Sequence, residues 1–219
     1  KRLERVVELA SSLKVFVKTV KPQQLKFLSK TDHHQGIAAE VSPYPYARLF
    51  DILNKPRPAG INPLLLLLDN VVDPHNLGAL VRTAFCVGVD GIVMPANRSA
   101  PPSPAVSKAS AGALEHVFLA RVPNMVSTVR VLKEKGLWIA GMDRGGKMSI
   151  FDGNLTTPLA IIVGGEEKGI RPLVKKHCDF LLSIPQAGKI DSLNVSVAGA
   201  VALYETFRQR EFIRKDPAA

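Results

Sequence analysis

The sequence predicts an α/β fold built on a parallel sheet, and two observations carry that expectation. From Pro63 onward, short runs of continuous apolar residues alternate with segments of helical period. Those runs do not alternate apolar with polar residues, so both faces of each strand must be covered, as in a parallel sheet clad by helices.

In order, "LLLLLDNV" reads as a strand, "NLGALVRTAFCVG" as a helix, "GIVMP" as a strand and "PAVSKASAGALEHV" as a helix. "FLARV" (strand), "MVSTVRVLKEKG" (helix), "LWIAGMD" (strand) and "LAIIVGG" (strand) follow. "RPLVKKHC" is a helix opened by a proline, "FLLSIP" a strand, and a long last helix runs from about Ser192 to Arg214. Residues 64–219 form the larger domain on this reading. Residues 47–63 carry three prolines, one glycine and three basic groups, which reads as a linker outside regular structure. Before it, residues 1–46 read as a small α/β unit: a helix to Ser12, a strand at Lys14–Val20, a helix opened by Pro22, and a strand at Gln35–Tyr44.

The 219 residues are 46% hydrophobic, enough for one good core plus a small appendage, or for two modest domains. Asp69 interrupts the longest apolar stretch far short of the ~20 residues that span a bilayer. No signal-peptide pattern opens the chain, so a cytoplasmic location with no membrane partner is expected. Cys86 and Cys178 lack Cys-x-x-Cys spacing and a histidine cluster, so neither a disulfide framework nor a metal site is indicated. The net charge is +10, and residues 1–62 hold eleven Lys/Arg against five Asp/Glu. A polyanion, most simply nucleic acid, is the partner that such a bias favours.

Four strand ends carry unusual residues: "DPHNLGALVR" (Asp73–Arg82), "GMDRGG", "GGEEKG" (Gly164–Gly169) and "IPQAGKIDSLNVSVAGA" (Ile184–Ala200). In parallel sheets, ligands bind at the carboxyl ends of strands. The dinucleotide fingerprint Gly-x-Gly-x-x-Gly is absent from the first strand-to-helix turn, and no P-loop exists, which lowers nicotinamide cofactors and ATP as ligands.

Three of these stretches, extended to "DPHNLGALVRTAFCVGVDGIVMP", "IIVGGEEKGIRP" and "IPQAGKIDSLNVSVAGAVALYE", resemble the ordered motifs of SpoU/TrmH-type RNA ribose 2'-O-methyltransferases of the SPOUT superfamily. The pattern is most similar to the branch that modifies guanosine in bacterial 23S ribosomal RNA, whose first domain also ends in a segment like "HQGIAA" (His34–Ala39). The resemblance covers about Leu64 to Gln209, and residues 1–46 more weakly, where the family's opening strand and helix are missing.

The resemblance implies an α/β knot: a parallel sheet whose C-terminal part is threaded into a trefoil, against the general rule for protein chains. It implies S-adenosylmethionine as cofactor, RNA as substrate, a homodimer and no metal. Gly164, Gly165, Ile184 and Leu193 match cofactor-binding positions, with Gly141 and Met142 at the rim. Close approach of backbone to cofactor would explain the glycines.

Asn76, Arg82, Glu166, Ser192 and Asn194 match the catalytic motif positions. Methyl transfer to a ribose hydroxyl is an in-line displacement, so the protein must align the attacking oxygen and help remove its proton. The family's proposed activator matches Arg82; a guanidinium is a poor free base, so binding the target phosphate and stabilising the developing alkoxide is the alternative role. Glu166 could hold Arg82 or Asn76 through charge-assisted hydrogen bonds, and Glu167 stands where relatives usually have glycine. Asp191 or Ser192 could equally be a plain helix cap.

His75 reads as a solvated loop residue, and His33 and His34 as RNA contacts or a surface pair. Trp138 and Phe151 read as core. Lys108 reads first as part of a packed helix start and second as an RNA phosphate contact. The same motifs would serve a transfer-RNA methyltransferase, or a non-catalytic RNA-binding or ribosome-assembly protein on the same fold.

Overall fold

The computed structural model describes residues 2–32, 34–188 and 192–215. They form two compact units that divide between Tyr44 and Pro45, close to the boundary expected after Tyr46.

The first unit contains the helices α1 (Arg2–Ser12) and α2 (Pro22–Ser29). Pro22 occupies the first turn of α2, where its missing N–H costs nothing, and Lys30 ends the helix in the left-handed region at φ 53°. Lys14–Val20 and Gln35–Tyr44, both expected as strands, form none. Their alternation is real, but a strand needs ladder partners, and neither segment pairs with one among the described residues. Phe16 is left 87% exposed.

In the second unit, seven parallel strands are ordered β3-β2-β1-β6-β4-β7-β5. They are β1 (Leu64–Asp69), β2 (Gly91–Pro95), β3 (Leu119–Val122), β4 (Trp138–Met142), β5 (Met148–Ser149), β6 (Leu159–Gly164) and β7 (Phe180–Ser183). All six residues of β1 are buried, as its two-sided apolar run requires. β5 has two residues and follows no apolar run, so the sequence reading passed over it.

On one face, Leu65, Leu67, Val93, Ile139, Ala160 and Ile162 form a core with α6 (Met125–Glu134) and α7 (Pro172–Lys175). On the other face, α4 (Pro74–Cys86) packs against α8 (Val195–Lys215) and α5 (Pro104–Ala109). α5 was expected to continue to Val117. Ala111 at φ 53° and Gly112 at φ 85° break it, and a 3-10 turn, Ala113–His116, follows.

Residues 47–63, expected to lie outside regular structure, contribute to the larger core. Ala47 pairs with Ala120, and α3 (Leu49–Leu53) buries Ile52. A Cβ on Gly91 would meet Ile52 Cγ2 at 2.6 Å, so the absent side chain in β2 is what admits the helix. Arg57 then pairs with Asp90, whose carboxylate accepts from the Leu64 amide at 2.9 Å. The prolines end α3 but leave apolar residues at its inner face, and burial of those residues overrides the linker-like composition.

Candidate active site

β1 and β2 run to one side of the sheet, while the chain returns later to place β6 between β1 and β4. Such reversals of strand order open a crevice at the strands' carboxyl ends, and three of the motif stretches meet there.

The first is the turn after β1. Asp73 caps α4, its Oδ2 accepting from the Asn76 amide at 3.0 Å, with Pro74 in the first turn. This leaves the Asn76 side chain free at the helix tip, where its Nδ2 donates to Glu166 Oε1 at 2.6 Å. Asn194 Nδ2 donates to the same Glu166 oxygen at 2.8 Å and to Asn76 Oδ1 at 3.1 Å. One carboxylate oxygen and two amides, from the starts of α4 and α8 and the loop after β6, form a closed hydrogen-bonded group.

The far side of Asn194 is a helix cap: Oδ1 accepts from the Ser196 amide at 2.8 Å and the Ser196 hydroxyl at 2.6 Å. The cap therefore falls on Asn194, and α8 starts three residues later than the sequence suggested. Ser192 is exposed and holds no capping role; Asp191, like His33, lies outside the described residues.

Beside the group lies a cleft of about 570 Å³, within the usual range for small-molecule sites. Val163, Leu182, Ile184, Leu193 and Val195 supply apolar lining. Asp143, Glu166 and Glu167 supply negative charge and Arg144, Lys168 and Lys175 positive charge, and Lys175 pairs with Asp143 at 2.7 Å. Gly164, Gly165, Met142 and Ser192 also line it.

The glycines there answer to packing more than to ligand approach. A Cβ on Gly164 would lie 2.0 Å from the Gly169 carbonyl carbon, and one on Gly165 would lie 2.2 Å from the Asn70 oxygen. Gly141 is not part of the lining; a Cβ there would meet Cys178 Sγ at 2.8 Å, which makes it a packing glycine. Glu167 needs no glycine in its place, because Gly169, at φ 60°, takes the left-handed position of this loop.

Residues 63–204 match the SpoU rRNA Methylase family. The chain belongs to that family. Residues 1–47 separately match the RNA 2'-O ribose methyltransferase substrate binding domain. The chain is 42% identical to a putative TrmH family tRNA/rRNA methyltransferase of Bacillus subtilis strain 168, over 94% of this chain and 83% of that protein. It is also 42% identical to an uncharacterized tRNA/rRNA methyltransferase of Synechocystis, over 97% of this chain but 56% of that protein. The crystal structure of the SpoU methyltransferase AviRb from Streptomyces viridochromogenes, in complex with AdoMet, matches with a TM-score of 0.69 at 28% identity. That match covers 76% of this chain and 63% of AviRb, so the chain spans less than two thirds of both AviRb and the Synechocystis protein. The parallel sheet is that of the SpoU methyltransferases, the knotted α/β class.

Against the SpoU motifs, Arg82 stands apart. It lies six residues beyond Asn76 on α4, about 9 Å along the axis and about 120° around it. Asn76 shares its side of the helix with Leu80, which packs on Gly199 of α8. Arg82 shares the other side with Gly78, packed on Ala109 of α5, and with Phe85, stacked on His116 at 5.6 Å. Arg82 is exposed, and no hydrogen bond or ion pair is formed by it among the described residues. Glu166 accordingly holds Asn76 and Asn194, not Arg82.

Of the remaining expected residues, His75 and Lys108 are exposed, and His34 Nδ1 accepts from the Gly36 amide at 3.0 Å, a local turn contact. Trp138 and Phe151, expected in the core, are 51% and 55% exposed. Trp138 opens β4, the strand's amino end, where its ring leans on Phe180 at the sheet surface. The sequence reading missed Asp69, Asp143, Lys175 and Arg171. The signal for Asp69 was present, since a carboxylate ending a fully buried strand requires a partner.

Proposed function

We propose that this chain is an S-adenosylmethionine-dependent RNA ribose 2'-O-methyltransferase, acting as a cytoplasmic homodimer on a guanosine of 23S ribosomal RNA. The observation that carries the reading is the Asn76–Glu166–Asn194 group at the cleft, built from all three SpoU motifs.

The lining fits the cofactor by chemistry. Apolar side chains from β6, β7 and the start of α8 suit an adenine and a methylene chain, the carboxylates of Glu166 and Glu167 suit a sulfonium and an ammonium, and Arg144 and Lys168 suit the cofactor's carboxylate. When bound, S-adenosylmethionine supplies an activated methyl group on positively charged sulfur. The chain's own residues then have to hold the ribose oxygen in line and dispose of its proton. Asn76 and Asn194 are fixed by Glu166; both Asn194 amide protons are taken up within the group, which leaves one Asn76 amide proton as its pre-oriented donor.

Arg82, a fixed cation, suits the target phosphate or the developing alkoxide. It lies on the far side of α4 from the group, which supports a site completed by Arg82 of a second copy. The exposed apolar residues Phe85, Val197, Tyr204 and Phe207 on α4 and α8 are the surface such a dimer would cover. The basic excess in residues 1–62 and the substrate-binding match over residues 1–47 support an RNA target.

The test is transfer of labelled methyl from S-adenosylmethionine to bulk ribosomal and transfer RNA, followed by mapping of alkali-resistant linkages. Label in 23S RNA at a guanosine is the expected result. Label confined to transfer RNA would move the substrate within the family, and none in either pool with cofactor binding intact would make the chain an RNA binder.

A further inference from the structure

Asp69 is fully buried at the end of β1, and one residue takes up its carboxylate. Arg171 gives Oδ1 its Nε at 2.8 Å and a terminal guanidinium nitrogen at 2.6 Å, and its backbone amide donates to Oδ2 at 2.8 Å. The Asp69 carbonyl meanwhile accepts from the Gly165 amide at 2.8 Å.

Gly165 and Arg171 are the two ends of the loop that carries Glu166, so Asp69 grips both ends. The loop closes on itself through Gly169 N–H to Gly165 O at 2.9 Å, and Gly165 lies flat against the Asn70 carbonyl. One end of the loop is thus fixed by charge-assisted bonds to the Asp69 carboxylate and the other by a backbone bond to the Asp69 carbonyl, while its tip, Glu166, is exposed at the cleft.

We infer that Asp69 and Arg171 are positioning residues for the methyl-transfer site, acting through Glu166. They clamp the loop so that one Glu166 oxygen meets both Asn76 and Asn194 and the cleft keeps its cofactor-binding shape. The inference rests on the reading of the cleft as the S-adenosylmethionine site. Burial alone does not explain the arrangement. A buried ion pair is a poor source of stability compared with apolar residues of similar size, whereas a guanidinium on one carboxylate oxygen and a backbone amide on the other fix direction. The Asp69 carboxylate is fully buried, so removing the Arg171 side chain leaves it with the backbone amide alone and costs the fold stability; Arg171→Lys keeps a cation there and is the variant that spares the fold.

The experiment is a double-mutant cycle with Arg171→Ala and Glu166→Gln in the full chain, reading S-adenosylmethionine affinity by calorimetry and backbone hydrogen exchange of residues 164–171. Arg171→Ala is expected to weaken cofactor binding about tenfold and to speed exchange in the loop, with β1 and α4 unchanged. The loss is expected to shrink severalfold when Glu166→Gln is already present, because coupled residues are non-additive. Arg171→Lys is expected to restore part of the affinity. Additive losses, or slow loop exchange and full affinity in Arg171→Ala, overturn the clamp. If the wild-type chain binds no S-adenosylmethionine, the site reading fails instead, and loop exchange alone decides the clamp.

Discussion

Asn76 and Asn194 lie 118 positions apart in the chain and share a 3.1 Å hydrogen bond, side-chain amide to side-chain carbonyl. Glu166 Oε1 accepts from both, so neither amide can rotate without breaking a charge-assisted bond. Replacing Asn194 with alanine removes one donor to Glu166 and also the cap of α8. Methyl transfer is expected to fall about 100-fold or more in kcat/KM, in line with the cost of small misplacements at a reacting centre. Asn194→Ser, which can still cap, should regain the stability lost through the cap, about 1 kcal/mol, without regaining activity. Thermal unfolding measured beside initial rates separates the two roles.

Arg82 and Asn76 face different sides of α4, and this sets a sharper test than a single substitution. Arg82→Ala is expected to abolish transfer while leaving S-adenosylmethionine affinity intact, since Arg82 lines no part of the cleft. If the site is completed across a dimer, Arg82→Ala and Asn194→Ala chains should complement when mixed. Half the dimers would then be mixed, each with one intact site, giving about a quarter of wild-type activity. A mixture as inactive as its parents would place both residues' work in one chain.

The alternation of strands and helices was legible because β1, β2 and β6 are buried almost throughout and α4 to α8 each begin with a proline or a small polar cap. Two kinds of feature were not. The extended segments of the first unit have strand-like alternation, but ladder partners are a tertiary property, and here none pairs. β5 consists of Met148 and Ser149, held by pairing with β7 and not by any apolar run of its own. At the site, Asn76, Glu166 and Asn194 were each legible as motif residues, and the structure brings them together. Which partner Glu166 holds was not legible, because helix phase separates Arg82 from Asn76 by about 120° without saying which of them faces Glu166; the packing of Gly78 against Ala109 and of Leu80 against Gly199 fixes that.

Gly165 tests the claim that the glycines of the second motif serve packing. A methyl group there would sit 2.2 Å from the Asn70 carbonyl oxygen, a backbone atom that cannot swing aside. Gly165→Ala is therefore expected to destabilise the chain by about 1–3 kcal/mol and to displace Glu166, seen as weakened cofactor binding. Gly145→Ala offers the contrast. Its Cβ would approach the Asp143 Oδ1 atom at 3.2 Å, a side chain able to shift, and a change in stability within about 0.5 kcal/mol is expected.

Cys86 and Cys178 should separate in a thiol-labelling experiment. Burial, with further contributions from neighbouring carboxylates, pushes the Cys178 thiol up to about 11, so at pH 8 it is almost wholly protonated. Cys86 is exposed on α4. Alkylation at pH 8 followed by mass spectrometry is expected to modify Cys86 first, with Cys178 reacting only as pH nears its raised value or on unfolding. Equal rates at pH 8 would contradict the packing of Cys178 against Gly141.

Glu205 contributes to the acid side of stability. It is buried in α8 and accepts both guanidinium nitrogens of Arg208 at 2.8 Å and the Gln209 amide at 2.8 Å. Hydrogen bonding from Arg208 is the main cause that holds its carboxyl below the ordinary 4.5, against an opposing push from burial. The folded state therefore binds this proton less readily than the unfolded chain. The resulting stability is fully present above about pH 4.5 and is lost as pH falls through the lower folded value. Because Arg208 is largely solvated, the contribution is about 1 kcal/mol. Glu205→Gln is expected to lower Tm by about 2–4 °C at pH 7 and to flatten the decline of Tm below pH 4.5. Parallel acid profiles for the two chains would show that the carboxylate contributes nothing there.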